Sequence, residues 1–119
     1  MTYNPQTAKE QPGLPTDTIF DAIIIDIKDG IVKDFVKSLD KWKGEHTQPC
    51  IDVTMEVLHK EKSFTFSTIF TYENDEATTV YAPNSNLGKF KTKYNELPVV
   101  GSHVKVITDK DGFLKLKLD

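Results

Sequence analysis

Alternation with a period of two governs most of this chain, and one stretch breaks it. Residues 50–60 read CIDVTMEVLHK. Ile51, Val53, Met55 and Val57 share one parity and Asp52, Thr54 and Glu56 the other, which predicts a strand with one face in a core. Residues 63–72 repeat the pattern, with Phe64, Phe66, Phe70 and Tyr72 set against Thr65, Ser67, Ile69 and Thr71. A tight turn is expected between the two at Glu61-Lys62. Residues 17–28 place Ile19, Ile23, Ile25 and Ile27 on one parity, interrupted by Asp21, and Phe20, Ala22, Ile24 and Asp26 on the other. So many β-branched residues on both parities predict a covered strand. Asp29-Gly30 predicts a turn or bulge, after which IVKDFVK resumes as strand, so a first strand bent at Gly30 is expected. Residues 73–78 read as an acidic loop, and a short TVYA strand ends at Pro83. Residues 102–108 and Phe113–Leu118 form the last two strands, joined by TDKDG. Leu114, Leu116 and Leu118 point in; Phe113, Lys115 and Lys117 point out.

The break is Asn84–Leu97, where Leu87, Phe90 and Tyr94 recur at i, i+3 and i+7 with Lys89, Lys91 and Lys93 around the other sides. This spacing predicts a short helix, capped by Ser85 or Asn84. Gly88 inside it costs about 1 kcal/mol relative to Ala, so the helix depends on packing. Three strands, a helix and two strands define the expected fold class: an all-β, five-stranded Greek-key barrel with the helix between strands three and four.

Length and composition narrow the reading. A chain of 119 residues with seven Phe supports one domain with a core. Residues 1–16, with Pro5, Pro12, Pro15 and Gly13, are expected as a flexible tail, leaving 17–119 as the barrel domain. The N-terminus lacks an apolar core segment, so no signal peptide is expected. No apolar run is long enough for a membrane span. A single cysteine, Cys50, rules out an intrachain disulfide and makes an intracellular setting the default. The net charge of −3 gives no global attraction to a polyanion, so any basic surface must be local. All fifteen basic residues are Lys. Without Arg, bidentate guanine readout is unavailable, while Lys still meets phosphate as a point charge.

The residues Leu87-Gly88-Lys89-Phe90, Tyr94, Val100-Gly101, Val104-Lys105-Val106 and Asp111-Gly112-Phe113 resemble the C-terminal half of small single-strand-binding proteins. From about Thr18 to Leu118 the order of elements resembles the oligonucleotide/oligosaccharide-binding (OB) barrel. The chain departs from bacterial single-stranded DNA-binding proteins in lacking Arg and the long acidic-tipped tail. The resemblance implies non-catalytic binding of single-stranded nucleic acid, with DNA favoured, in replication or repair, and implies no cofactor. Such binding needs rings for stacking and cations for the backbone. The candidates are Lys41, Trp42 and Lys43 in the loop after strand one, and Tyr72 at the end of strand three. To these are added Lys89, Lys91 and Lys93 on the helix, and Lys105, Phe113, Lys115 and Lys117 on the last two strands.

Each candidate has a structural alternative. Trp42 can fold back as a lid, the Phe64, Phe66, Phe70 row can be core with Thr65, Ser67 and Thr71 exposed, and the lysines can form solvated faces. His46 and Cys50 lie four apart without further ligand spacing, so no metal is expected. Asp109-Lys110-Asp111-Gly112 departs from a calcium loop at Ile107 and lacks the downstream Glu. Asp21, Asp26, Asp29 and Asp34 are the only carboxylate cluster with catalytic potential, as magnesium ligands of a nuclease. The competing class is a protein-interaction or assembly module in which the barrel binds a partner or a second copy. Lysines gathered around one groove with Trp42 favour nucleic acid, whereas dispersed lysines beside an exposed apolar patch favour protein.

Overall fold

The computed structural model describes residues 3–8, 13–36 and 46–119. Lys41, Trp42 and Lys43 lie outside the described residues. Strands β1 (Ile19–Ile31), β2 (Pro49–His59), β3 (Lys62–Thr71), β6 (His103–Thr108) and β7 (Leu114–Leu116) form one antiparallel sheet in the order β3-β2-β1-β6-β7. The sheet curls into a nearly closed barrel. A second, two-stranded sheet joins β4 (Glu73–Asp75) to β5 (Thr78–Val80). Helix α1 (Val32–Phe35) follows β1, and helix α2 (Asn86–Tyr94) lies between β5 and β6.

The alternating runs fold as their parities require. Val53, Met55 and Val57 of β2 are fully buried, as are Phe70 of β3 and Val104 and Val106 of β6. Phe64, Phe66, Leu114, Leu116 and Leu118 pack half-buried against them. The β2–β3 turn is Lys60-Glu61, closed by the His59–Lys62 pair, one residue earlier than the expected Glu61-Lys62. Both turn residues have positive φ, as a two-residue hairpin needs, though neither is Gly or Asn.

Three expectations are corrected. First, β1 does not bend at Gly30, which pairs regularly with Cys50; its register breaks between Ile24 and Asp26. This bulge puts one extra residue into the strand and switches its parity. Ile24 is buried and Ile25 exposed, and the inward face resumes at Ile27. Isoleucines on both parities are thus one apolar face moved across the chain. Second, the run after Gly30 is α1 and not a strand continuation. The Asp34 carboxylate accepts from the Ile31 N–H at 3.1 Å at its start. Third, the acidic stretch at 73–78 contains β4, which pairs with the expected short strand before the helix, here β5 (Thr78–Val80). Two residues at the end of the 1–16 segment also touch the barrel. Leu14 packs on the core, and the Thr108 hydroxyl donates to Pro15 O at 2.7 Å.

Helix α2 packs against β3. Ser85 caps it, its hydroxyl accepting from Gly88 N–H at 3.1 Å. Leu87 and Phe90 are buried and Tyr94 half-buried, as their spacing predicts. Phe90 meets Phe70 edge-on at 5.8 Å between ring centroids. Gly88 has a packing reason. A Cβ there would sit 2.3 Å from Ala82 O and 2.5 Å from Pro83 O, so only glycine lets the helix lie against that turn.

Candidate nucleic-acid interface

The register brings one group of candidates together. Val106 pairs with Leu116 and Ile107 with Lys115, so Lys105, Ile107, Lys115 and Lys117 share the outer face of the β6–β7 hairpin. β1 extends this face through Ile19, opposite Ile107, and Asp21, opposite Lys105. Phe113, at the start of β7, is 69% exposed. Its backbone is held firmly. Asp109 accepts from the N–H groups of Asp111 and Phe113 at 2.9 and 3.0 Å, and Asp109 N–H donates to Phe113 O at 3.0 Å. These N–H donors, Phe113's first, hold the Asp109 carboxyl below its usual range. A free ring thus stands on a rigid turn. Beside it an open groove of about 480 Å3 runs between the turn and β3, lined by Leu14, Phe64, Phe66 and Leu114.

The lysines of this face differ in their freedom. Lys105 pairs with Asp21, and this contact holds the Asp21 carboxyl below its usual range. Lys117 pairs with Asp119 at 3.3 Å, and Lys93 of α2 donates to the Asp119 main-chain oxygen at 2.7 Å. Tyr94 ties these elements together, donating to Lys117 O at 2.6 Å and accepting from Lys105 N–H at 3.1 Å. Lys93, Lys105 and Lys117 therefore gather around Tyr94 and Asp119, each with an oxygen partner. Lys91 donates to Asn95 O at 3.0 Å, at the C-terminal end of its own helix. Lys89 and Lys115 are exposed.

Tyr72 is not the exposed ring expected at the end of β3. It is 9% exposed, and its hydroxyl donates to Asp29 at 2.7 Å. That hydrogen bond, with burial, pushes its phenol up to about 12. The parity of β3 explains the position: Tyr72 continues the inward row of Phe64, Phe66 and Phe70, and Asp29 of β1 offers the acceptor its hydroxyl needs. The parity that Tyr72 shares with Phe64, Phe66 and Phe70 was the signal for this in the sequence.

The four aspartates considered for catalysis have separate neighbours. Asp21 holds Lys105, Asp29 accepts from Tyr72, Asp34 caps α1, and Asp26 pairs across the strand with Thr54. Among the described residues no three His, Cys, Asp or Glu side chains are placed to hold a metal. Cys50 is fully buried, and burial, followed by the charges of Asp34, Asp52 and Asp29, pushes its thiol up, away from the reactive thiolate.

The outer face of β1, β2 and β3 has another character. Its cross-strand rows are Lys28–Asp52–Ile69, Asp26–Thr54–Ser67 and Ile23–Glu56–Thr65. Three carboxylates face one lysine, and no aromatic ring is present. Asp52 is pushed up by partial burial and by Asp26, with Lys28 opposing. The described flanks of the Lys41-Trp42-Lys43 segment meet at the α1 end of β1, where Lys33 N–H donates to His46 O at 3.0 Å. Phe113 lies at the other end of β1, where Asp17 N–H reaches Asp109 O at 3.3 Å. Phe113 and the described flanks of the Trp42 segment thus lie at opposite ends of a strand roughly 40 Å long when extended. A comparison with known protein families, with curated proteins and with solved structures finds no match to this chain.

Proposed function

We propose that the barrel is of the OB type, with β1, β2, β3, β6 and β7 as its five strands and the β4–β5 hairpin inserted before the helix. On this reading the protein binds single-stranded nucleic acid without catalysing a reaction. The observation that carries the proposal is Phe113: an exposed ring on a rigid turn, on the same hairpin face as Lys115 and beside a groove containing Phe64 and Phe66. A base stacks on Phe113 while Lys115, and Lys105 and Lys117 on exchanging their carboxylate partners, meet the phosphates. Lys41, Trp42 and Lys43 supply a second contact. Sequence preference is weak because no Arg reads base edges. A role in DNA replication or repair inside the cell fits this activity.

The test is anisotropy of a fluorescent ten-nucleotide oligonucleotide, (dT)10 and its RNA counterpart, at low and moderate salt. The expected result is micromolar or tighter binding that weakens as salt rises, with quenching of Trp42, the only tryptophan. Absence of binding at low salt refutes the proposal. The protein-interaction reading is then preferred. It is favoured by the pairing of Lys105 and Lys117 with carboxylates and by Leu58, 71% exposed on the ring-free face.

A further inference from the structure

The barrel has a seam. β3 and β7 are the two edges of the sheet, and they do not pair with each other. On β3, Tyr72 N–H donates to Pro49 O, so even-numbered residues turn their main-chain groups to β2. The odd-numbered residues Ser63, Thr65, Ser67 and Ile69 turn theirs into the seam. On β7, Lys117 N–H donates to Lys105 O, so the odd-numbered residues face β6, and Leu114, Leu116 and Leu118 turn theirs into the seam from the other side. No backbone hydrogen bond to these seam-facing groups is made by another of the described residues.

Three features make this seam a receptor for a strand. Edge strands are commonly protected by charge, proline, bulges or short length. From Ser63 to Tyr72 there is no charged residue, no Pro and no Gly, and β3 is ten residues long. The seam is also open and apolar inside. A groove of about 260 Å3, lined by Phe66, Phe70, Leu114, Leu116 and Leu118, adjoins the one beside Phe113, and the two share Phe66 and Leu114. Finally, the directions agree. β1 is antiparallel to β2 and β6, and these in turn to β3 and β7, so β3 and β7 run parallel to each other. One inserted strand can be antiparallel to both and satisfy both walls.

We infer that the β3–β7 seam binds an extended peptide segment of a partner protein, which pairs with both edges and closes the barrel as an additional strand. The walls specify its side chains. Alternate residues point inward between Phe64, Phe66 and the leucines, and are apolar. The intervening residues point outward beside the small polar residues Ser63, Thr65 and Ser67 of β3 and beside Lys115 and Lys117 of β7, and are acidic. The seam adjoins the proposed nucleic-acid surface and shares Phe64, Phe66, Lys115 and Lys117 with it, so peptide and oligonucleotide are expected to compete.

The test is hydrogen exchange of the full chain with a capped heptapeptide of alternating valine and glutamate. In the free protein the amides of Thr65, Ser67, Leu114 and Leu116 exchange fast. Saturating peptide slows them at least about tenfold, which corresponds to about 1.4 kcal/mol. The same peptide N-methylated at alternate residues, on the edge facing β3, does not. Thr65→Pro removes one seam-facing donor at a position where an edge strand tolerates proline, and abolishes protection of Leu114 and Leu116 while the fold is kept. If that variant fails to fold, the N-methylated peptide still decides. Amides already protected in the free protein, equal protection by both peptides, or no protection at millimolar peptide each overturn the inference. So does protection of all four amides by (dT)10 with none by the peptide, which would assign the seam to nucleic acid alone.

Discussion

Tyr72 and Phe113 are both rings at strand ends, on opposite ends of the barrel, and they have opposite fates. Tyr72 follows the inward parity of β3, carries a hydroxyl, and finds Asp29 within 2.7 Å. Phe113 follows the outward parity of β7, has no polar group, and projects from a turn whose backbone is fixed by Asp109. An aromatic residue at a strand end is therefore no guide to a stacking site. Its parity and the presence of an acceptor within reach decide. The account makes Tyr72 a stability residue and Phe113 a binding residue, and substitutions can separate the two roles.

The largest effect is expected from Tyr72→Ala. Truncating this buried ring leaves a cavity and costs about 3–5 kcal/mol, read as a large drop in the midpoint of urea or thermal unfolding. Any loss of oligonucleotide binding should track the unfolded fraction. Phe113→Ala is expected to lower affinity for (dT)10 by about tenfold or more, since stacking contributes about 1–3 kcal/mol per base, with the unfolding midpoint unchanged because the ring is exposed. Should Phe113→Ala unfold the protein or leave binding intact, the contrast between the two rings collapses.

Tyr72→Phe sharpens the comparison by removing only the hydroxyl. It costs about 1 kcal/mol and leaves Asp29 to be solvated. The pH dependence has a definite sign. The phenol is raised in the folded state, from an ordinary value near 10 to about 12. Its contribution is fully present below pH 10 and is lost as pH rises toward 12. Unfolding monitored from pH 8 to 11.5 should show a steeper alkaline decline for the native chain than for Tyr72→Phe. Parallel curves would remove the Tyr72–Asp29 bond from the account. The smallest effect is that of Lys115→Ala. One lost phosphate contact lowers the slope of log affinity against log salt by about 0.7, with little change in stability.

Much of the barrel was legible in the sequence because period-two alternation survives wherever one face is buried. Val53, Met55 and Val57, and likewise Leu114 and Leu116, occupy the sides their parity predicts. The helix was legible from Leu87, Phe90 and Tyr94, and its cap from Ser85. The bulge at Ile25 was not, because a run of isoleucines carries no mark of where one extra residue is inserted. Nor was the role of Gly88, which depends on the carbonyls of Ala82 and Pro83 approaching from outside the helix. The strand β4 was hidden by its acidic composition. In the candidate site, parity placed Phe113 and Lys115 outward correctly. It was silent on Asp21 and Asp119, distant in sequence, which engage Lys105 and Lys117.

The most direct measurement is amide chemical-shift mapping of the full chain titrated with (dT)10 at low salt. The account predicts shifts concentrated between Asp111 and Lys117, at Phe64 and Phe66 and at Lys41, Trp42 and Lys43, with the acidic rows through Asp52, Thr54 and Glu56 unmoved. Shifts centred on those rows, or none anywhere, would contradict it.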